Sequence, residues 1–272
     1  MARSVSYGPW LAGLVLAASG GALWFFYPRG APAPAPATAA PPPALATAPE
    51  AVPEVRHPIE QVAVPPAESA EPLPALADSD AAALAALGAL MAGTDPSNWL
   101  VPQFLVQRLV TTIDNLPKAS MPRQVYAAQP VAGTLAVAQA DGRRWLDAAN
   151  YARYDTAVAV FEGADSRQLV AAYVRFYPLF QQAWAELGTG GQFNDRLVQV
   201  IDHLLAAPEI AGPIELVPAA DGRPRLAFAD PRLEGASVGH KAMLRIGPDH
   251  AARVKTKLRQ LRDLLAGQRP AG

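Results

Sequence analysis

The sequence predicts a mainly α-helical domain with two short β-hairpins, preceded by a transmembrane helix. Three observations point there: an uncharged apolar run near the N-terminus, a proline-rich stretch after it, and then apolar residues at helical spacing. That spacing is interrupted by two alternating segments, each centred on an Asp-Gly turn.

Residues 1–7 form a short tail. Residues 8–27, GPWLAGLVLAASGGALWFFY, carry no charged side chain. Twenty residues at 1.5 Å each span about 30 Å, the thickness of a bilayer's hydrocarbon layer. Trp10 stands near one end and Trp24 to Tyr27 at the other, where amphipathic rings favour the headgroup level. A cleaved signal peptide is the competing reading, but hydrophobicity resumes in Ala22–Tyr27, beyond a plausible cleavage site. Arg3 and the free amine precede the span and only Arg29 immediately follows it. That one-charge bias places a single-pass protein in the bacterial inner membrane with its C-terminal domain periplasmic. Gly13, Ala17 and Gly21 share one helix face, a small-residue spacing that allows self-association. Such spacing is also common in any alanine-rich span.

Residues 28–77 read as a disordered Pro/Ala-rich linker. Fourteen of the chain's 28 prolines fall between Pro28 and Pro74. Proline fixes φ and removes an amide donor, so the expectation is an extended spacer reaching at most ~3.1 Å per residue. Residues 78–272 then make one helical domain. It carries 20 Lys+Arg and 19 Asp+Glu, a net of +1, which argues against a nucleic-acid partner.

Within the domain, Asp80 is the expected cap of a short helix over 81–91, and a longer helix is expected over 98–115. TLAVAQADGRRWLD reads as a hairpin turning at Asp141-Gly142. Asn150 is the expected cap of the next helix, and Asp165 of a longer one bearing Leu169, Tyr173, Phe180 and Trp184, with Pro178 kinking or dividing it. A helix over 194–206 follows. PIELVPAADGRPRLAFAD is the second hairpin, and two helices at 237–246 and 248–266 close the chain.

One internal echo stands out. RLVTTIDNL at 108–116 matches RLVQVIDHL at 196–204 at six of nine positions, each copy following a phenylalanine and preceding an Asp-Gly-Arg turn. Either the domain is a pseudo-duplicated helix-plus-hairpin unit, or the match is chance in a Leu/Val/Ala-rich chain. Arg108 and Asp114, like Arg196 and Asp202, lie six apart and so on different faces of one helix, which directs any bridge between copies or toward neighbouring loops. These four, with Arg253 and Lys257 of the basic C-terminal helix, are the candidate interaction residues. Lys241–Arg269 carries eight basic and two acidic side chains, suited to a partner helix or anionic lipid, or simply to a docked helix with a solvated face.

No catalytic, cofactor-binding or metal-binding constellation emerges. Gly235-Ala236-Ser237-Val238-Gly239 fits G-x-S-x-G, but DPRLE before it is not a buried strand, so Ser237 reads as a helix cap. The histidines lack ligand spacing, the chain has no cysteine, and GTGG at 188–191 lacks the Lys-Ser/Thr of a phosphate loop.

The segments LPALADSD, FLVQRLVTTIDNLP, LDAANYARYD, FYPLFQQAWAELG, FNDRLVQVIDHLL, GPIEL and RIGPDHAARVKTKLRQLR resemble a proteobacterial family, domain of unknown function 3014. The resemblance runs through most of residues 72–267. It implies a membrane-anchored protein of undefined activity and brings no catalytic residue or cofactor. The expected function is a membrane-tethered binding or scaffold module with a protein partner in the cell envelope. The alternative is a cell-envelope enzyme such as a cell-wall hydrolase, although the balance favours a non-enzyme.

Overall fold

The structure, a computed structural model, describes residues 54–62, 71–91, 95–210, 212–220 and 225–267. The expected span at 8–27, most of the linker and the Asp-Gly-Arg turn at 221–223 lie outside them. Among the described residues no helix is long and apolar enough to cross a membrane.

The domain is mainly helical, with one small antiparallel sheet. Among the described residues eight α-helices run in chain order: α1 Asp80–Leu90, α2 Leu105–Asn115, α3 Asp155–Gly163, α4 Ser166–Glu186, α5 Phe193–Leu205, α6 Pro231–Glu234, α7 Val238–Ile246 and α8 Pro248–Leu265. Strands β1 Val137–Ala140, β2 Arg143–Leu146, β3 Glu215–Pro218 and β4 Leu226–Phe228 pair in that order. The two expected hairpins therefore join into one four-stranded sheet, with Trp145 facing Glu215 across the seam. At the first turn Asp141 and Gly142 both have positive φ, 50° and 74°, the backbone that a two-residue hairpin loop requires.

Helix α8 packs against α3, α4, α5 and α7, while α2 packs against α1, α4 and α5. The main core lies between these helices and includes the fully buried Leu105, Val158, Phe193 and Leu258. A smaller core under the sheet joins Leu146, Leu216, Phe228 and Leu244. Phe193 is ringed by Tyr173, Phe180 and Trp184 with centroids 5.7–6.5 Å apart, which ties α5 to α4. Helix α4 runs unbroken through Pro178 for 21 residues, because its aromatic stripe is packed on both sides of the proline.

Several boundaries differ from the sequence reading. The helix expected over 98–115 begins only at Leu105. Leu100 instead forms an antiparallel bridge with Ala128, through Val101 N–H to the Ala127 carbonyl (2.8 Å) and Gln129 N–H to the Trp99 carbonyl (2.6 Å). Phe104 then turns the chain with a left-handed φ of 55°. Asp80 does not cap its own helix. Its carboxylate accepts from Phe104 N–H (2.8 Å) and Leu105 N–H (2.7 Å), capping α2 from outside. Asn150 is likewise not a cap: Asp147 caps a 3₁₀ turn over Ala148–Tyr154, and the buried Asn150 amide bonds both backbone groups of Ala136. Asp165 and Ser237 cap α4 and α7 as the sequence predicts.

Residues 54–62, inside the stretch read as linker, lie along the domain. They make a 3₁₀ turn at Ile59–Gln61 and bury Val62 in the main core.

Candidate functional site

A cleft of about 540 Å³ opens along α5 and has residues of the 54–57 strap as one wall. Its floor is the first turns of α5. Asn194 is fully buried, and its Nδ2 donates to the carbonyls of His57 (2.8 Å) and Leu265 (3.3 Å). The Asn194 Oδ1 has no hydrogen-bond partner. Asp195 Oδ1 accepts from the backbone N–H of His57 (2.7 Å) and of Arg56 (3.2 Å). An acid at this position also faces the positive end of the helix dipole.

The floor is braced from behind. The Phe193 N–H, one of the helix-start donors without an intrahelical acceptor, donates to Gln181 Oε1 (2.8 Å). The Tyr177 hydroxyl stands 3.0 Å from that oxygen and 2.8 Å from Gln192 Oε1. Burial pushes the Tyr177 hydroxyl's pKa up, so it stays protonated.

The candidate residues from the echo fall into unequal places. Arg196 crosses to the other copy: its Nε donates to Asp114 Oδ1 (2.9 Å) and its Nη2 to the Asp114 carbonyl (2.9 Å). Lys118 Nζ reaches the same carboxylate at 2.7 Å. Asp202, in contrast, pairs with Arg262 of α8 at 2.5 Å on the cleft's outer rim. Arg108 donates to the carbonyls of Gln103 (3.0 Å), Gln124 and Tyr126 (3.1 Å), holding a loop. Thus Arg196 and Asp202 line the cleft, Asp114 supports it, and Arg108 stands apart. Arg253 and Lys257 sit on the far side. Arg253 pairs with Glu162, and Lys257 Nζ donates to the carbonyls of Glu162 (3.3 Å) and Ala164 at the end of α3. Much of the basic character of α8 is therefore engaged in internal contacts; Lys255 also donates to the Ala207 carbonyl (2.8 Å) and Glu209 (2.8 Å).

The backbone-binding role of Asn194 and Asp195 was not legible in the sequence, because the His57 groups that they bond lie about 138 residues away. The one available signal was the pair of polar residues opening a strongly amphipathic helix.

A second polar cluster lies at the other end of α5. Ser237 Oγ is 2.7 Å from His203 Nε2, and the His203 and His240 rings stack at 4.0 Å with planes 5° apart. His240 Nε2 contacts the His203 carbonyl at 2.7 Å, so that nitrogen carries the proton. The His203 pKa is held below its ordinary value by burial, then by the fields of His240 and Arg196.

This serine does not sit in a nucleophile elbow. Helix α6, not a strand, precedes it. The N–H groups of Val238 and Gly239, the natural oxyanion donors, are given to the carbonyls of Lys118 and Leu116 at 2.8 Å each. Among the described residues no carboxylate is bonded to His203, and no three His, Asp or Glu side chains form a metal-sized cluster.

A family model described as a protein of unknown function, DUF3014, matches residues 105–262. No curated protein and no solved structure matches the chain.

Proposed function

The chain belongs to the DUF3014 family, and from that premise we propose that it is a membrane-tethered binding or scaffold module of the bacterial cell envelope. Residues 8–27 anchor it in the inner membrane, the Pro/Ala stretch spaces it, and the helical domain engages a protein partner in the periplasm. The observation that carries the reading is the cleft along α5, whose polar floor recognises backbone groups of Arg56 and His57. Protein-backbone recognition is the chemistry of a binding module. The uncharged span, its aromatic ends and the charge bias around it support the anchor and its orientation. Gly13, Ala17 and Gly21 support weak self-association of the anchors. Contact between α2 and α5, and the sharing of one sheet by both hairpins, favour a duplicated helix-plus-hairpin unit.

A cell-envelope hydrolase has less behind it: the Val238 and Gly239 N–H groups are engaged by Lys118 and Leu116, and among the described residues no carboxylate is bonded to His203.

The test is a photo-crosslinking residue in place of Gln199 in the cleft, with one in place of the exposed Arg175 as control, in intact membranes. A protein adduct of defined mass is expected from the cleft position alone. No adduct, or the same adducts from both positions, would sink the reading. Topology is tested separately: a periplasmic reporter fused at the C-terminus should be active, and a silent one would reverse the orientation.

A further inference from the structure

We infer that the groove between the α5 N-terminus and the α8 C-terminus is a linear-peptide site that residues 54–62 fill in cis. Its partner ligand is a linear segment of another protein with the same bent backbone pattern. This deepens the binding-module reading and rests on it.

The bound segment is Glu54-Val55-Arg56-His57-Pro58-Ile59-Glu60-Gln61-Val62. Recognition at its N-terminal half is of main chain: Asp195 accepts two successive N–H groups, and Asn194 donates to the carbonyl of the second residue. The side chains of Val55 and Arg56 are exposed, Val55 to 44%, while that of His57 is half-buried. Pro58 follows at the position where no donor is used. Two apolar anchors complete the fit, Ile59 half-buried and Val62 7% exposed against the main core. The ligand class is therefore two residues with free N–H groups, a proline, an apolar residue directly after it, and a second apolar residue three further on. The side chain of the first is unrestricted, matching the exposed Arg56.

Three observations say that the site accepts other occupants. Asn194 and the α5 start are positioned by groups outside the strap, namely the Leu265 carbonyl and Gln181, so the groove is preformed and ordering it costs a ligand little. The cleft also extends beyond the strap along Gln199 and Asp202, leaving room for a longer segment. And the cis segment leaves the buried Asn194 Oδ1 unmatched, so a ligand bringing a donor there would make a bond that the strap does not. The strap is attached to the domain it covers, so its effective concentration is high and any partner must compete with it.

The test uses the full-length chain in mild detergent and a fluorescein-labelled synthetic peptide EVRHPIEQV, read by anisotropy. Val62→Asp weakens the strap's buried anchor. It should raise peptide affinity at least tenfold over the wild-type chain, and adding Asp195→Ala should remove that gain. A peptide N-methylated at its Arg and His should bind at least tenfold more weakly. A folded Val62→Asp chain with no saturable binding, or binding indifferent to Asp195→Ala, overturns the proposal.

If Val62→Asp fails to fold, a double variant, Gln61→Cys with Gly267→Cys, decides in this cysteine-free chain. A Cβ at Gly267 would lie 3.5 Å from the Gln61 Cβ, within disulfide range. The oxidised, locked chain should lose peptide binding that the reduced chain shows. Equal binding in both states, or none in either, refutes the site. An intact membrane crosslink from Gln199 without peptide binding would sink the groove and leave the binding module standing.

Discussion

The two aspartates of the echo should differ sharply in what they contribute to stability. Asp114 is 12% exposed at its side chain and Arg196 20%. A charge-assisted hydrogen bond in such a setting contributes about 1.5–3 kcal/mol. The Lys118 contact, at i+4 and half exposed, adds about 0.3–0.5 kcal/mol. Alanine is the better helix former by up to about 0.7 kcal/mol, which offsets part of the loss. Asp114→Ala should therefore destabilise by about 1–3.5 kcal/mol on these scales. Asp202 is 47% exposed and Arg262 30%, so that pair falls in the range of about 0.2–1 kcal/mol for surface ion pairs. Near the C-terminal end of α5 an acidic charge also opposes the helix dipole, and Asp202→Ala should be nearly neutral. For a domain of this size each kcal/mol of that difference corresponds to about 2–4 °C in Tm. Urea unfolding of the full-length variants, followed by far-UV circular dichroism, reads it directly. Equal losses within about 0.5 kcal/mol would refute the assignment of a buried cross-copy bridge to one aspartate and a rim pair to the other.

Gly247 divides α7 from α8 with φ 90° and ψ 161°, a region that side chains other than glycine's avoid, and a Cβ there would lie 2.6 Å from the Tyr151 ring. Gly247→Ala should cost about 2–4 kcal/mol in the same urea titration, and an unchanged midpoint would count against this junction. Ser237→Ala removes the α7 cap and should cost about 1 kcal/mol. The wild-type chain should remain unlabelled by a fluorophosphonate, whereas labelling at Ser237 would revive the hydrolase. His203 binds its proton less readily folded than unfolded, so its contribution is fully present above its ordinary pKa of 6.5 and is lost as pH falls through the lowered folded value. Urea midpoints should drop on acidification below pH 6.5, and His203→Gln should flatten that limb; the same slope in both chains would remove His203 from the explanation.

What was legible in the sequence was periodic or chemically local. The α4 stripe of Tyr173, Phe180 and Trp184 marks its buried face, Asp165 and Ser237 mark helix starts, and Asp141-Gly142 marks a turn that few other pairs form. What was not legible depended on distant backbone. Trp99 stands near helical spacing with Leu105, Leu109 and Ile113, yet its carbonyl and the Val101 amide are claimed by Gln129 and Ala127, a preference that no local pattern encodes. Asp80 has the composition of a cap for its own helix, but its carboxylate turns to α2, 24 residues on. The candidate site was half legible for the same reason. The echo drew attention to Arg196 and Asp202, whereas the residues beside them, Asn194 and Asp195, make the backbone contacts.

The echo itself shows how similar helices come to do different work. Both copies present Arg, Ile and Asp at matched positions, but the phenylalanine before each meets opposite surroundings. Phe193 is fully buried in the aromatic cluster of α4, while Phe104 is 60% exposed at a left-handed turn. Burying Phe193 seats the start of α5 against α4 and brings Asn194 and Asp195 to the groove floor, where the strap's backbone is within reach. At α2 the corresponding start is already occupied by Asp80, whose carboxylate takes the Phe104 and Leu105 amides. Each helix start thus meets a segment that precedes it in the chain, but with the roles reversed: at α2 the incoming segment supplies the carboxylate, and at α5 the helix supplies it. A carboxylate borne by the helix stays behind when the segment leaves. Of the two starts, only α5 keeps its recognition chemistry when its cover is removed, which places any exchangeable binding at α5.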